Sequence, residues 1–129
     1  MPFQFELHRD RPALVNHYGS YLDPGDIKAM AAELTAWLAR LDRRVYYINN
    51  VGSTRLSLGD IMDGARLAGQ GTAPVLRHPK IIETLVVTTD SVASMAAKNI
   101  NSPLFGYLKL KVFTTLDEAL GYIDGNESD

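Results

Sequence analysis

Cysteine is absent from the 129 residues, so neither a disulfide nor a thiolate metal site is open to the chain. An excess of either charge is lacking too. Thirteen Lys and Arg against fifteen Asp and Glu leave a formal net charge of -2, which offers little to a polyanion or an acidic membrane surface. Nucleic acid is therefore not an expected partner. No apolar run approaches the ~20 residues of a membrane span, and Met1-Pro2-Phe3-Gln4-Phe5-Glu6 lacks the basic start and apolar centre of a signal peptide. A cytoplasmic location is expected. Low-complexity stretches, internal repeats and dividing linkers are missing as well, so residues 1–125 read as one domain, with the acidic residues 126–129 as a frayed tail. What is there is the make-up of a globular domain, 46% hydrophobic and 22% charged. A chain of this size buries roughly two thirds of the surface its unfolded form exposes.

Phe3, Phe5 and Leu7 alternate with Gln4, Glu6 and His8, the rhythm of a half-buried strand. A second strand, Ala13 to Tyr18, follows a connection short enough for an antiparallel hairpin. Asp23-Pro24 opens a helix, since Asp accepts from free amides and Pro gives up an amide that has no partner. Met30, Leu34, Trp37, Leu38 and Leu41 then fall on one face, and Arg40, Arg43 and Arg44 complement the carbonyl end. Val45 to Ile48 reads as a strand covered on both faces, followed by a polar loop from Asn49 to Arg55. Ser57 caps a helix with Asp60 in capping-box position, and Gly69, Gly71 and Pro74 stop it. Residues 69–80 form a long irregular segment of the kind that is often functional. Ile81 to Thr88 is the next apolar strand, and Asp90 caps a helix that ends at Asn101-Ser102-Pro103. Leu108, Leu110 and Val112 alternate with Lys109 and Lys111, as on an edge strand. Thr115 and Glu118 open a last helix, with Gly125 just past its end. This order predicts an α/β fold: a mixed, mostly parallel sheet of about five strands with an N-terminal antiparallel hairpin and about four helices.

The strand-loop-helix from Tyr46 to Leu67 and the closing Val112-Phe113-Thr114-Thr115-Leu116-Asp117-Glu118-Ala119-Leu120 carry a resemblance. From about Phe5 to Ile123 the chain resembles the STAS domains of sulphate transporters and anti-sigma-factor antagonists, and among them the stage II sporulation protein AA-like group. The resemblance implies a non-enzymatic module. Antagonists of this kind bind an anti-sigma factor that is also a kinase, and are switched off by phosphorylation of a Ser at a helix start. The antagonist pattern there is Asp-Ser-Ser-Gly. Here it is Arg55-Leu56-Ser57-Leu58-Gly59, so only Ser57 and Gly59 match and the acidic residue is missing.

Ser57 is thus both a plain N-cap and the candidate phosphoacceptor, because an added phosphate would sit among unpaired amides. The expected contact surface joins Asn49, Asn50, Ser53, Thr54, Arg55, Ser57, Gly59 and Met62 to Thr89 and Ser91, residues that follow two strands and share one sheet edge if those strands are parallel. Arg77, His78 and Lys80 form a short basic run that reads as a solvated loop or an anion site. His8 and His17 can face each other across the hairpin. Half-exposed strand histidines are the simpler reading, and neither a metal nor a cofactor is expected. No Ser sits in a nucleophile elbow, which disfavours an enzyme. Two functions follow. The first is a regulatory domain binding a protein partner, such as an anti-sigma factor or kinase, with a homodimer as one expected assembly. The second is a carrier or sensor of a small apolar or nucleotide ligand, held between sheet and helices near Trp37 and Met62.

Overall fold

Alternation along the first strands sets the sheet. A computed structural model describes residues 3–8, 10–19, 24–52, 79–89 and 110–127. Strand β1 (Phe3–Leu7) pairs antiparallel with β2 (Ala13–Tyr18), Phe3 opposite Tyr18 and Leu7 opposite Leu14. Strand β3 (Val45–Gly52) lies parallel to β2, β4 (Ile81–Thr88) parallel to β3, and β5 (Leu110–Phe113) parallel to β4. The spatial order is β1-β2-β3-β4-β5. The mixed, mostly parallel sheet with its opening hairpin is as the sequence predicts, and β5 with its exposed Lys111 occupies an edge. Among the described residues there are two helices, α1 (Pro24–Arg40) and α2 (Leu116–Glu127). The helices expected from Ser57 and from Asp90 lie outside the described residues.

Each helix seals one face. Under α1, Leu34 and Leu38 pack on Phe5, Leu14, Val45 and Tyr47. Under α2, Ala119, Leu120 and Ile123 pack on Val15, Ile48 and Leu85. β3 is therefore buried on both sides from Val45 to Ile48, as its unbroken apolar run requires.

The helix ends explain themselves chemically, with two corrections to the expectations. Pro24 is the first residue of α1, where no amide is needed. At the other end Lys80 does not join a basic run at the surface. Its Nζ donates to the Leu38 carbonyl at 2.8 Å and the Leu41 carbonyl at 2.6 Å, capping α1 from the start of β4. Arg77 and His78 lie outside the described residues. Arg43 and Arg44 likewise donate to the carbonyls of Arg11 and Pro79.

For α2, Thr115 Oγ1 accepts from the Glu118 amide at 3.2 Å, and the Glu118 carboxylate accepts from the Thr114 hydroxyl at 3.0 Å. This helix does not stop at Gly125 but runs on to Glu127, past the point where the tail was expected to fray. Gly125 is exposed and tolerated, and two tertiary ties hold the last turns. Asp124 takes both Arg11 bonds, at 2.7 and 3.0 Å, and the Asn126 amide donates to the Tyr46 hydroxyl at 3.3 Å.

Candidate functional site

Because β2 to β5 all run parallel, their C-terminal ends meet at one edge of the sheet. Gly52, the last residue of β3, sits opposite Thr88, the last of β4. The segments that follow these two strands therefore leave from adjacent points, the condition on which the expected contact surface rested. Gly52 has φ 59°, a left-handed conformation that a Cβ would strain, and it closes an irregularity in register that begins at Asn50. Its carbonyl accepts from the Thr89 amide at 3.0 Å and the Thr89 hydroxyl at 3.1 Å. Thr89 thus ties the two strand ends together.

Asn49 and Asn50 correct the sequence reading. They are not in a loop, because β3 continues through them to Gly52. Asn disfavours strands, but here both neighbours hold the ladder, with Asn49 between Asn16 and Val86 and Asn50 between His17 and Val87. Each amide then finds a β2 partner on its own face.

On the α2 face the Asn50 amide donates to His17 Nδ1 at 3.1 Å, and His17 Nε2 lies 2.8 Å from Glu6 Oε1. An amide nitrogen only donates and a carboxylate only accepts, so His17 carries its proton on Nε2. The hydrogen bond from His17 holds the Glu6 carboxyl below its ordinary value, against an opposing effect of desolvation. Both ring nitrogens are engaged, which leaves no lone pair for general-base work. His8 does not face His17 across the hairpin, since Gln4 does. Instead His8 Nε2 stands 3.9 Å from the same Glu6 oxygen. No group of three or more metal-ligating side chains occurs among the described residues.

The α1 face carries a second polar set. Asn16 Nδ2 donates to the Tyr47 hydroxyl at 3.2 Å, and the Tyr18 hydroxyl donates to Asn49 Oδ1 at 3.0 Å. Burial pushes the Tyr18 and Tyr47 hydroxyls above the ordinary tyrosine value. Asn16 is fully buried, and its Oδ1 has no hydrogen-bond partner among the described residues. Thr84 and Thr88 are buried on β4.

With this geometry in hand, comparison with known proteins places the fold. The sequence matches no family model and no curated protein. A solved structure from Shewanella loihica PV-4, an uncharacterized protein of the DUF3478 family with a SpoIIAA-like fold, superposes with a TM-score of 0.61. The two are 19% identical, over 94% of this chain and 91% of that one. The fold is SpoIIAA-like. At that identity the likeness speaks of fold alone.

On this SpoIIAA-like sheet the sequence-predicted site residues divide into two sets. Asn49, Asn50 and Thr89 are described: Thr89 stands at the C-terminal edge beside Gly52, while Asn49 and Asn50 lie inside β3, in register with Val86 and Val87 of β4. Ser53, Thr54, Arg55, Ser57, Gly59, Met62 and Ser91 lie outside the described residues. Sequence reasoning missed Asn16, Tyr18 and Tyr47. The available signal was Asn16 itself, a polar residue on the same side as Leu14, where the alternation of a buried strand calls for an apolar one.

Proposed function

We propose that the chain is a non-enzymatic, cytoplasmic regulatory module that binds a protein partner at the C-terminal edge of its sheet, in the manner of anti-sigma-factor antagonists and related signalling domains. The observation that carries this reading is the adjacency of Gly52 and Thr88, which starts both connecting segments from one place. Ser53, Thr54, Arg55, Ser57, Gly59, Met62 and Ser91 belong to those segments, and with Thr89 they are the proposed contacts. The SpoIIAA-like fold is compatible with this use. In addition, among the described residues both ring nitrogens of His17 are engaged, by the Asn50 amide and by Glu6.

The test is stoichiometric co-purification with an anti-sigma factor or kinase, compared between variants at opposite ends of the sheet. Thr89→Lys at the proposed edge should abolish the complex, while Asp42→Lys, exposed beyond the far end of α1, should leave it intact. Equal loss by both variants, or no stoichiometric partner, overturns the proposal. Ser57 is proposed as the phosphoacceptor of the switch. Ser57→Asp should then weaken the complex that Ser57→Ala retains, and equal binding by the two removes the switch.

A second reading, a carrier or sensor of a small ligand held between the sheet and α1, is favoured by one observation. Asn16 keeps an unpaired carbonyl oxygen in a fully buried position, where native proteins rarely leave one without a water or ligand.

A further inference from the structure

We propose that β1 is the interface of a homodimer, in which the outer flank of Phe3–Leu7 pairs antiparallel with the same strand of a second copy to make one continuous sheet. The proposal is independent of the partner-binding reading, which concerns the ends of the strands and not the flank of the sheet.

In the spatial order of the sheet β1 and β5 are the two flanks. β5 is 4 residues long and carries the exposed Lys111, a common protection against pairing with another chain. β1 carries neither Lys nor Pro, and its register with β2 is unbroken from Phe3 to Leu7. Among the described residues it pairs with β2 alone. The His8 amide donates to the Ala13 carbonyl at 2.9 Å, so alternation turns the amides and carbonyls of Glu6 and Gln4 toward β2 as well, and those of Phe3, Phe5 and Leu7 outward. Solvent reaches this strand: Gln4 and Glu6 are exposed, and Phe3 and Leu7 remain half-buried.

The side chains select a second copy as the occupant, and they select its register. With Phe5 opposite Phe5 of the second copy, Phe3 faces Leu7 and Gln4 faces Glu6, each pair occurring twice about a two-fold axis. All outward backbone groups from Phe3 to Leu7 are then partnered. On the α1 face the half-buried Phe3 and Leu7 cover each other, and on the α2 face the Gln4 amide donates to a carboxylate whose Oε1 is already held by His17, leaving Oε2 to accept. Moving the axis to Glu6 sets two like charges face to face and carries Phe3 past the end of the strand. Moving it to Gln4 carries Leu7 past the other end. A shift by a single residue mixes apolar with polar side chains on both faces. The chosen axis points the C-terminal ends of β2 to β5 in opposite directions in the two copies, so pairing at β1 does not bring the two proposed contact surfaces together.

The test is sedimentation equilibrium of the full chain, read together with amide hydrogen exchange. A dimer is expected, with exchange at the Phe5 and Leu7 amides slowing as it forms. Gln4→Glu opposes two carboxylates and should weaken the dimer about two- to thirty-fold, while Gln4→Lys should tighten it by a similar factor, the range expected of two symmetric cross-strand pairs. Gln4 is exposed, so neither variant endangers the fold. Leu7→Pro removes an outward donor that β2 does not use and should give a monomer. If Leu7→Pro does not fold, the Gln4 variants carry the readout. A chain that stays monomeric at every attainable concentration overturns the proposal, even if a different protein pairs with β1. A dimer whose affinity neither Gln4 variant moves, or whose Phe5 and Leu7 amides stay unprotected, overturns it as well.

Discussion

On one face of the sheet Asn50 is half-buried and passes a hydrogen bond through His17 to the exposed Glu6. On the other, Asn16 is fully buried and has one atom with no described partner. The two asparagines stand on neighbouring strands, with similar hydroxyl and imidazole partners, yet their energetics differ. Where water reaches, a lost bond is replaced at once and its net worth is small. Under α1 there is no such exchange. A polar residue in a strand therefore owes its meaning to what seals it, and only the sealed one points to a missing partner.

The largest expected effect sets the scale for the two faces. Leu38 and Ile123 are both fully buried, one on the inner side of each helix, and truncating either to Ala should cost about 2–5 kcal/mol in urea unfolding. A cost below about 1 kcal/mol for one of them would show that its helix contributes little to that face. Next, Tyr47→Phe removes the only described partner of the buried Asn16 and should cost about 1–3 kcal/mol, while Asn50→Ala at the wetter face should cost less than about 1 kcal/mol. Equal costs would break the comparison. Thr115→Ala removes the cap of α2 and should cost about 1 kcal/mol, with the loss appearing as faster amide exchange in the first turn.

The smallest effect is in pH. The Glu6 carboxyl is held below its ordinary 4.5, first by the hydrogen bond from His17. Its contribution is complete above that ordinary value and is lost as pH falls through the lowered folded value. Glu6→Gln should therefore flatten part of the stability loss on acidification and leave neutral pH almost unchanged, because the group is exposed and screened. Asp124, lowered by Arg11, keeps its own share of the slope. An unaltered slope in Glu6→Gln would show that the His17 contact is not maintained in solution.

Local chemistry was readable from the chain, and remote partnership was not. Pro24 at the start of α1, the Thr115–Glu118 cap and the both-sides-buried Val45–Ile48 each depend on residues within a few positions. The extension of β3 through Asn49 to Gly52 does not, since it is held by ladder partners on β2 and β4 that overrule a weak strand former. Lys80 could not be assigned for the same reason: the carbonyls it caps are about forty residues earlier in the chain. Of the candidate site, the shared edge followed from strand direction once parallel pairing was assumed. The Asn16–Tyr47 pair needed the register to bring two strands together.

Spatial order equal to chain order has an implication for synthesis. A polypeptide emerging N-terminus first always has a finished strand waiting for the next one, β2 beside β1, β3 beside β2 and so on to β5. Among the described strands none has to be threaded between two that have already joined, so the sheet they form can grow by addition at one edge.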